Sequence, residues 1–149
     1  MSKKLAVAGS AVLAVVLLSG FAFRGGHHGF GRDPERIKQM VTWKLNDKLE
    51  DLDASEAQTK SINAVKDRLF DEGVQLMQEQ RAARTEALTQ LESANPDAQK
   101  LHSLVDARID AFRAFAHKAT DALLEVHRTL TPAQRNELFT EYREHTGQK

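Results

Sequence analysis

The chain has 149 residues, room for one ordinary domain, and its formal net charge of zero argues against nucleic acid as a partner, which needs a concentrated basic face. It contains no cysteine, which excludes disulfides, Cys-ligated zinc, c-type haem attachment and a lipid-modified N-terminal Cys. Aromatics are 6% of residues and prolines number three, while Ala, Leu, Glu, Gln, Lys and Arg dominate, so the expected fold class is all-α.

Lys3 and Lys4 precede an apolar run from Leu5 to Leu18, then Ser19, Gly20, Phe21 and Ala22. A charged start, an apolar middle and small residues at the end predict a secretory signal peptide over 1–22, cut after Ala22. The other reading is an uncleaved inner-membrane anchor, since Leu5 to Phe23 would span roughly 28 Å as a helix. Either way the body of the protein is expected outside the cytoplasm, in the periplasm. Residues 23–32 form a Gly/His-rich segment too poor in apolar side chains to bury a core. His27 and His28 are adjacent there and are candidate loose ligands for zinc, nickel or copper.

A helical domain is predicted over 33–146. Asp33-Pro34, Asn95-Pro96 and Thr131-Pro132 each pair a favoured N-cap residue with Pro at the first helical position, where Pro loses no hydrogen bond. Ser55-Glu56-Ala57-Gln58 and Thr131-Pro132-Ala133-Gln134 both read as capping boxes, the Ser or Thr oxygen facing the Gln N–H and the Gln side chain reaching back. Four helices follow, over about 34–51, 56–93, 97–129 and 132–145. Ile37, Val41, Leu45 and Leu49 line the first, with Met40 and Leu52 beside them. Ile62, Val65, Leu69, Leu76 and Ala83 line the second, with Gly73 among them. Leu101, Val105, Ile109, Phe112, Ala116, Ala119, Leu123, Val126 and Leu130 line the third. The two middle helices are too long for a compact globule and predict an antiparallel hairpin hinged at Ser93 to Pro96.

The second helix carries a further apolar line of Phe70, Val74, Met77 and Leu88, and Leu104, Phe115 and Leu124 lie off the main stripe of the third. One hairpin cannot cover so wide a face, so a second copy of the chain, the short flanking helices or a binding partner must meet it. Arg81, Arg84, Arg108, Arg113 and Lys118 are expected beside this line, giving a mixed apolar and cationic surface that attracts a partner and then holds it. The plainer alternative pairs these cations with neighbouring carboxylates. The carboxylates lack the close pairing that acid–base catalysis uses, and no Glu-x-x-His, GxSxG, P-loop or HExxH occurs, so the protein is expected not to be an enzyme. His102, His117 and His127 are expected to be ordinary surface or partly packed side chains.

Leu130-Thr131-Pro132-Ala133-Gln134 matches an LTxxQ signature, and Ala54-Ser55-Glu56-Ala57-Gln58 is a second copy with Ala54 in place of Leu and Ser55 in place of Thr. Two copies at this spacing, behind a signal peptide, resemble the Spy/CpxP family of periplasmic chaperones, envelope stress adaptors and heavy-metal resistance proteins. The resemblance implies a curved four-helix protomer in an antiparallel, cradle-shaped homodimer. It further implies ATP-independent binding of unfolded or aggregation-prone envelope proteins, without a cofactor. Ser55, Gln58, Thr131 and Gln134 are then structural caps, and Phe70, Val74, Met77, Arg81, Arg84, Leu88, Arg108 and Phe115 are the candidate client-binding residues. Relatives of that group also suggest a periplasmic heavy-metal sensor or metal-binding accessory protein, with zinc or another divalent metal bound, or a repressor docking on a membrane sensor kinase.

Overall fold

The computed structural model describes residues 33–146, all in helices and the short segments joining them. The described residues form four helices: α1 (Pro34–Asp51), α2 (Glu56–Glu92), α3 (Ala98–Thr129) and α4 (Pro132–Thr146). The expected signal peptide or anchor, the 23–32 segment, and with it His27 and His28, lie outside the described residues. No helix among the described residues is long and apolar enough to cross a membrane.

Each helix starts where a short polar side chain satisfies orphan backbone donors. Asp33 Oδ1 accepts from Arg36 N at 3.2 Å ahead of Pro34. Ser55 Oγ accepts from Gln58 N at 3.2 Å while Ser55 N donates to Gln58 Oε1 at 2.9 Å. Thr131 Oγ1 accepts from Gln134 N at 3.3 Å while Thr131 N donates to Gln134 Oε1 at 2.9 Å. One start differs from expectation. Asp97, not Asn95, caps α3, accepting from Lys100 N at 3.0 Å. Asn95 and Pro96 instead form the turn, because the residue before a proline is held extended and a carboxylate two positions later takes the cap. Between α1 and α2, Asp53 adopts the left-handed region at φ 50, which lets Ala54 N reach back to Leu49 O at 2.9 Å.

α2 and α3, of 37 and 32 residues, run antiparallel as the long hairpin. The core sits at one end of it. Leu45, Leu49 and Leu52 from the α1 corner, Ile62, Val65 and Leu69 from α2, and Phe115, Ala119, Ala122, Val126 and Leu130 from the α3 side are all buried. Leu138 of α4 and Ala54, which stands where the signature has Leu, pack partly against this cluster. From Val74 through Ala114 no residue is buried. The hairpin therefore has a dense base and a bare arm.

The side of α3 that meets α2 is a correction. Leu101, Leu104, Arg108, Ala111, Phe115, Ala119, Ala122 and Val126 are buried or half-buried. Val105, Ile109 and Phe112, expected in the buried stripe, are instead 55%, 51% and 40% exposed. The two faces are about 90° apart at ~100° per residue. Ala119 and Ala122, small enough to let the backbones approach, put the base of α2 over this flank, and Phe115 fills the cluster beside Leu69 and the half-buried Leu76.

Candidate functional site

Two features stand out from the residues upward: a polar lock at the base and an open amphiphilic face along the arm. At the base, the side-chain amide of each capping glutamine has a donor group left over once its oxygen has served its own cap. Gln58 Nε2 donates to Thr129 O at 2.8 Å and to Gln134 Oε1 at 2.9 Å. Gln134 Nε2 donates to Leu52 O at 3.0 Å. Gln134 is buried and Gln58 half-buried. The corner between α1 and α2 is thus tied to the corner between α3 and α4. These contacts are structural, and nothing in them is reactive.

α4 is further held by an ion pair between Lys48 of α1 and Glu141. Lys48 is buried, and so is Lys66, whose Nζ donates to Thr42 Oγ1 at 2.6 Å and pairs with Asp67 Oδ1 at 2.9 Å. A buried ammonium needs such partners.

Along the arm the two long sides of the hairpin differ. Glu72, Glu79 and Glu86, spaced by seven, face cations of α3: Glu72 Oε2 lies 3.0 Å from Lys118 Nζ, Glu79 Oε2 lies 3.3 Å from Arg108 Nη1, and Glu86 pairs with Lys100. Hydrogen bonds from Lys100 and Gln90 hold the Glu86 carboxyl below its ordinary range. On the same side a cleft of about 230 Å³ is lined by Glu72, Leu76, Glu79, Ala111, Phe115 and Lys118, among others.

The other side carries the apolar surface. On α2 it consists of half-buried Val74 and Met77 and exposed Arg81, Arg84, Leu88 and Leu91. On α3 it consists of Val105, Ile109 and Phe112. Each line is rotated in the same sense from the helix–helix contact. Because the helices are antiparallel, equal senses of rotation bring both lines to one face. The face mixes apolar side chains with Arg81 and Arg84.

The candidate residues divide accordingly. Val74, Met77, Arg81, Arg84 and Leu88 share this face. Phe70 and Phe115 do not, since each is only 7% exposed. α1 crosses the start of the α2 line: Lys38 Nζ sits 5.8 Å from the centre of the Phe70 ring and 3.0 Å from Asp71 Oδ1. The pairing with Asp71 raises the Lys38 pKa above its ordinary value. Phe115 points to α2, within the core cluster. Arg108 and Lys118 belong to the ionic side, and Arg113 pairs with Asp110 at 3.0 Å. Sequence reasoning missed Leu91, Val105, Ile109 and Phe112 as open surface, along with Met40, Trp43 and Phe139, which are 48%, 66% and 48% exposed. The alanines at 119 and 122 were the available signal, marking the flank where α2 comes close.

No group of three or more His, Asp or Glu side chains is placed to hold a metal among the described residues. His102, His117 and His127 are exposed on α3.

A thin helical hairpin, locked at its base by two reciprocal glutamine caps and open along one amphiphilic face, defines an all-α protein. The chain belongs to the heavy-metal resistance family, whose model matches residues 4–137. No curated protein and no solved structure matches it.

Proposed function

We propose that this protein is a non-enzymatic, ATP-independent chaperone of the periplasm that binds unfolded or aggregation-prone envelope proteins, serving heavy-metal resistance by holding proteins the metal has damaged. The observation that carries the reading is the open face. Leu88, Leu91, Val105, Ile109 and Phe112 are each at least 40% exposed along a hairpin arm with Arg81 and Arg84 among them. Large apolar side chains grouped on a surface mark an interaction site. Flexible contacts at half-buried Met77 suit many partners rather than one. Arginines in the same line attract acidic segments before the apolar contact forms.

The test is aggregation of a reduced or heat-unfolded client. The purified protein suppresses it without ATP at near-stoichiometric ratio, and Ile109→Glu with Phe112→Glu lowers suppression while helicity stays unchanged. No suppression by the parent protein at about tenfold excess defeats the reading.

Family membership favours a second reading, a metal-binding accessory or sensor. His27 and His28 are then the ligands this chain would offer. Micromolar zinc or nickel would shift the melting temperature or oligomeric state, and His27→Ala with His28→Ala would abolish the shift.

A further inference from the structure

The base and the arm of the hairpin are held by different forces. The base, around Ile62, Val65 and Leu69 of α2 and Ala119, Ala122 and Val126 of α3, is closed by apolar burial on several sides, with α1 laid across it. The arm, residues 74–114, contains no buried residue. Its seam consists of half-buried Leu76, Ala83, Ala87, Leu101, Leu104 and Ala111. A two-helix pair with so little burial is marginal in water, because most helical stability in proteins comes from packing an apolar face. The seam is also crossed on one side by the pairs Glu79–Arg108 and Glu86–Lys100, a row that Glu72–Lys118 continues at the root of the arm. The heptad spacing of the glutamates keeps all three over the same edge, so they set register as well as attraction. Exposed pairs of this kind each contribute little and are screened by salt.

We propose that the arm opens as a unit, independently of the base, and that these glutamate–cation pairs act as a salt-sensitive zip that limits how often it does. Opening separates α2 from α3 beyond Gly73 and Phe115. It adds Leu76, Leu101 and Leu104 to the apolar side chains already open on the other face. On the client-binding reading above, this enlarges the surface offered to a large unfolded segment. The zip itself does not depend on that reading.

Hydrogen exchange read by mass spectrometry tests the opening directly on the full chain. Amides of 76–91 and 101–111 exchange at least about 100-fold faster than those of 62–69 and 119–126, since they open locally rather than globally. Raising salt from about 20 mM to about 0.5 M shrinks the screening length several-fold and speeds arm exchange by roughly 3–10-fold, leaving the base unchanged. Glu79→Gln with Glu86→Gln brings the arm to its high-salt rate already at low salt and removes most of the salt response. Uniform protection across arm and base overturns the proposal. So does an arm whose exchange ignores both salt and the double substitution. A protein that opens in this way but fails to suppress aggregation would sink the chaperone reading and leave the zip standing.

Discussion

Gln58 and Gln134, 76 positions apart in sequence, meet side chain to side chain at 2.9 Å while each also completes its own helix cap. A glutamate at the same position would serve a capping box equally well, since only an acceptor is needed there. The amide is required for its other end. Its Nε2 must donate across the junction, to Thr129 O from Gln58 and to Leu52 O from Gln134. The second half of the signature therefore specifies tertiary structure as well as a helix start.

Gln134→Glu tests this. The oxygen still accepts from Thr131 N, but a carboxylate then faces Leu52 O and Gln58 Oε1 with no donor, in a buried site. We expect a loss of about 2–3 kcal/mol in urea unfolding at neutral pH, the cost of buried polar groups left unpaired. Burial beside two oxygens would raise the pKa of the introduced carboxyl above its unfolded value. The penalty is then present above that raised pKa and recovers as pH falls through it. A variant as stable as the parent at neutral pH would show that the cross-junction donors contribute nothing.

Lys48 and Glu141 join α1 to α4 with the ammonium 6% and the carboxylate 34% exposed as side chains. Removing the carboxylate strands a buried charge, whereas removing both charges does not. Glu141→Ala is expected to cost about 2–3 kcal/mol, discounted from the fully buried case because Glu141 is partly solvated. Lys48→Met with Glu141→Leu should recover most of that loss. Chemical denaturation of the three proteins gives the cycle, and a double variant no better than Glu141→Ala would argue that the pair matters through α4 packing alone.

The helix boundaries were readable because capping chemistry is local: Ser55, Gln58, Thr131 and Pro132 announce their starts within four residues. The antiparallel hairpin followed from helix lengths and a short turn. What the sequence could not disclose is which flank of a broad apolar stripe a partner helix takes. That choice depends on how closely backbones approach at Ala119 and Ala122, and it moved Val105, Ile109 and Phe112 from the interior to the surface. Phe70 misled for a related reason. It lies in line with Val74 and Met77, but α1, anchored through Lys38, lies over it and leaves it buried, while Val74 and Met77 are only half-buried. The Lys48–Glu141 contact, 93 positions apart, has no local signature at all.

Phe115 and Phe112, three residues apart on α3, should separate stability from binding. Phe115 is 7% exposed and part of the core, while Phe112 is 40% exposed and outside it. Phe115→Ala is expected to cost about 3–4 kcal/mol, the usual range for a buried phenylalanine. Phe112→Ala should cost under about 1 kcal/mol and lower aggregation suppression measurably. If Phe115→Ala proved the milder of the two in thermal unfolding, the assignment of α3's faces would be reversed.

Glu86 offers a site-resolved check on the ionic side of the arm. Hydrogen bonds from Lys100 and then Gln90 favour its charged form, so its folded pKa lies below its ordinary value. A depressed carboxylate stabilises the fold above the unfolded pKa and loses that contribution as pH falls through the folded one. The window is therefore the acid side of the ordinary carboxylate range. Lys38 behaves oppositely: its hydrogen bond to Asp71 raises its pKa, so its contribution is present below the unfolded value and lost as pH rises through the folded one. Both groups face solvent, and their effect on global stability is correspondingly small. Carboxyl carbon shifts followed by NMR during an acid titration would show Glu86 protonating at lower pH than an unpaired glutamate, and Lys100→Gln would move it back up. An unshifted Glu86 in the parent protein would mean that the outermost pair of the arm is not formed in solution, and the zip would then have to rest on Glu79 alone.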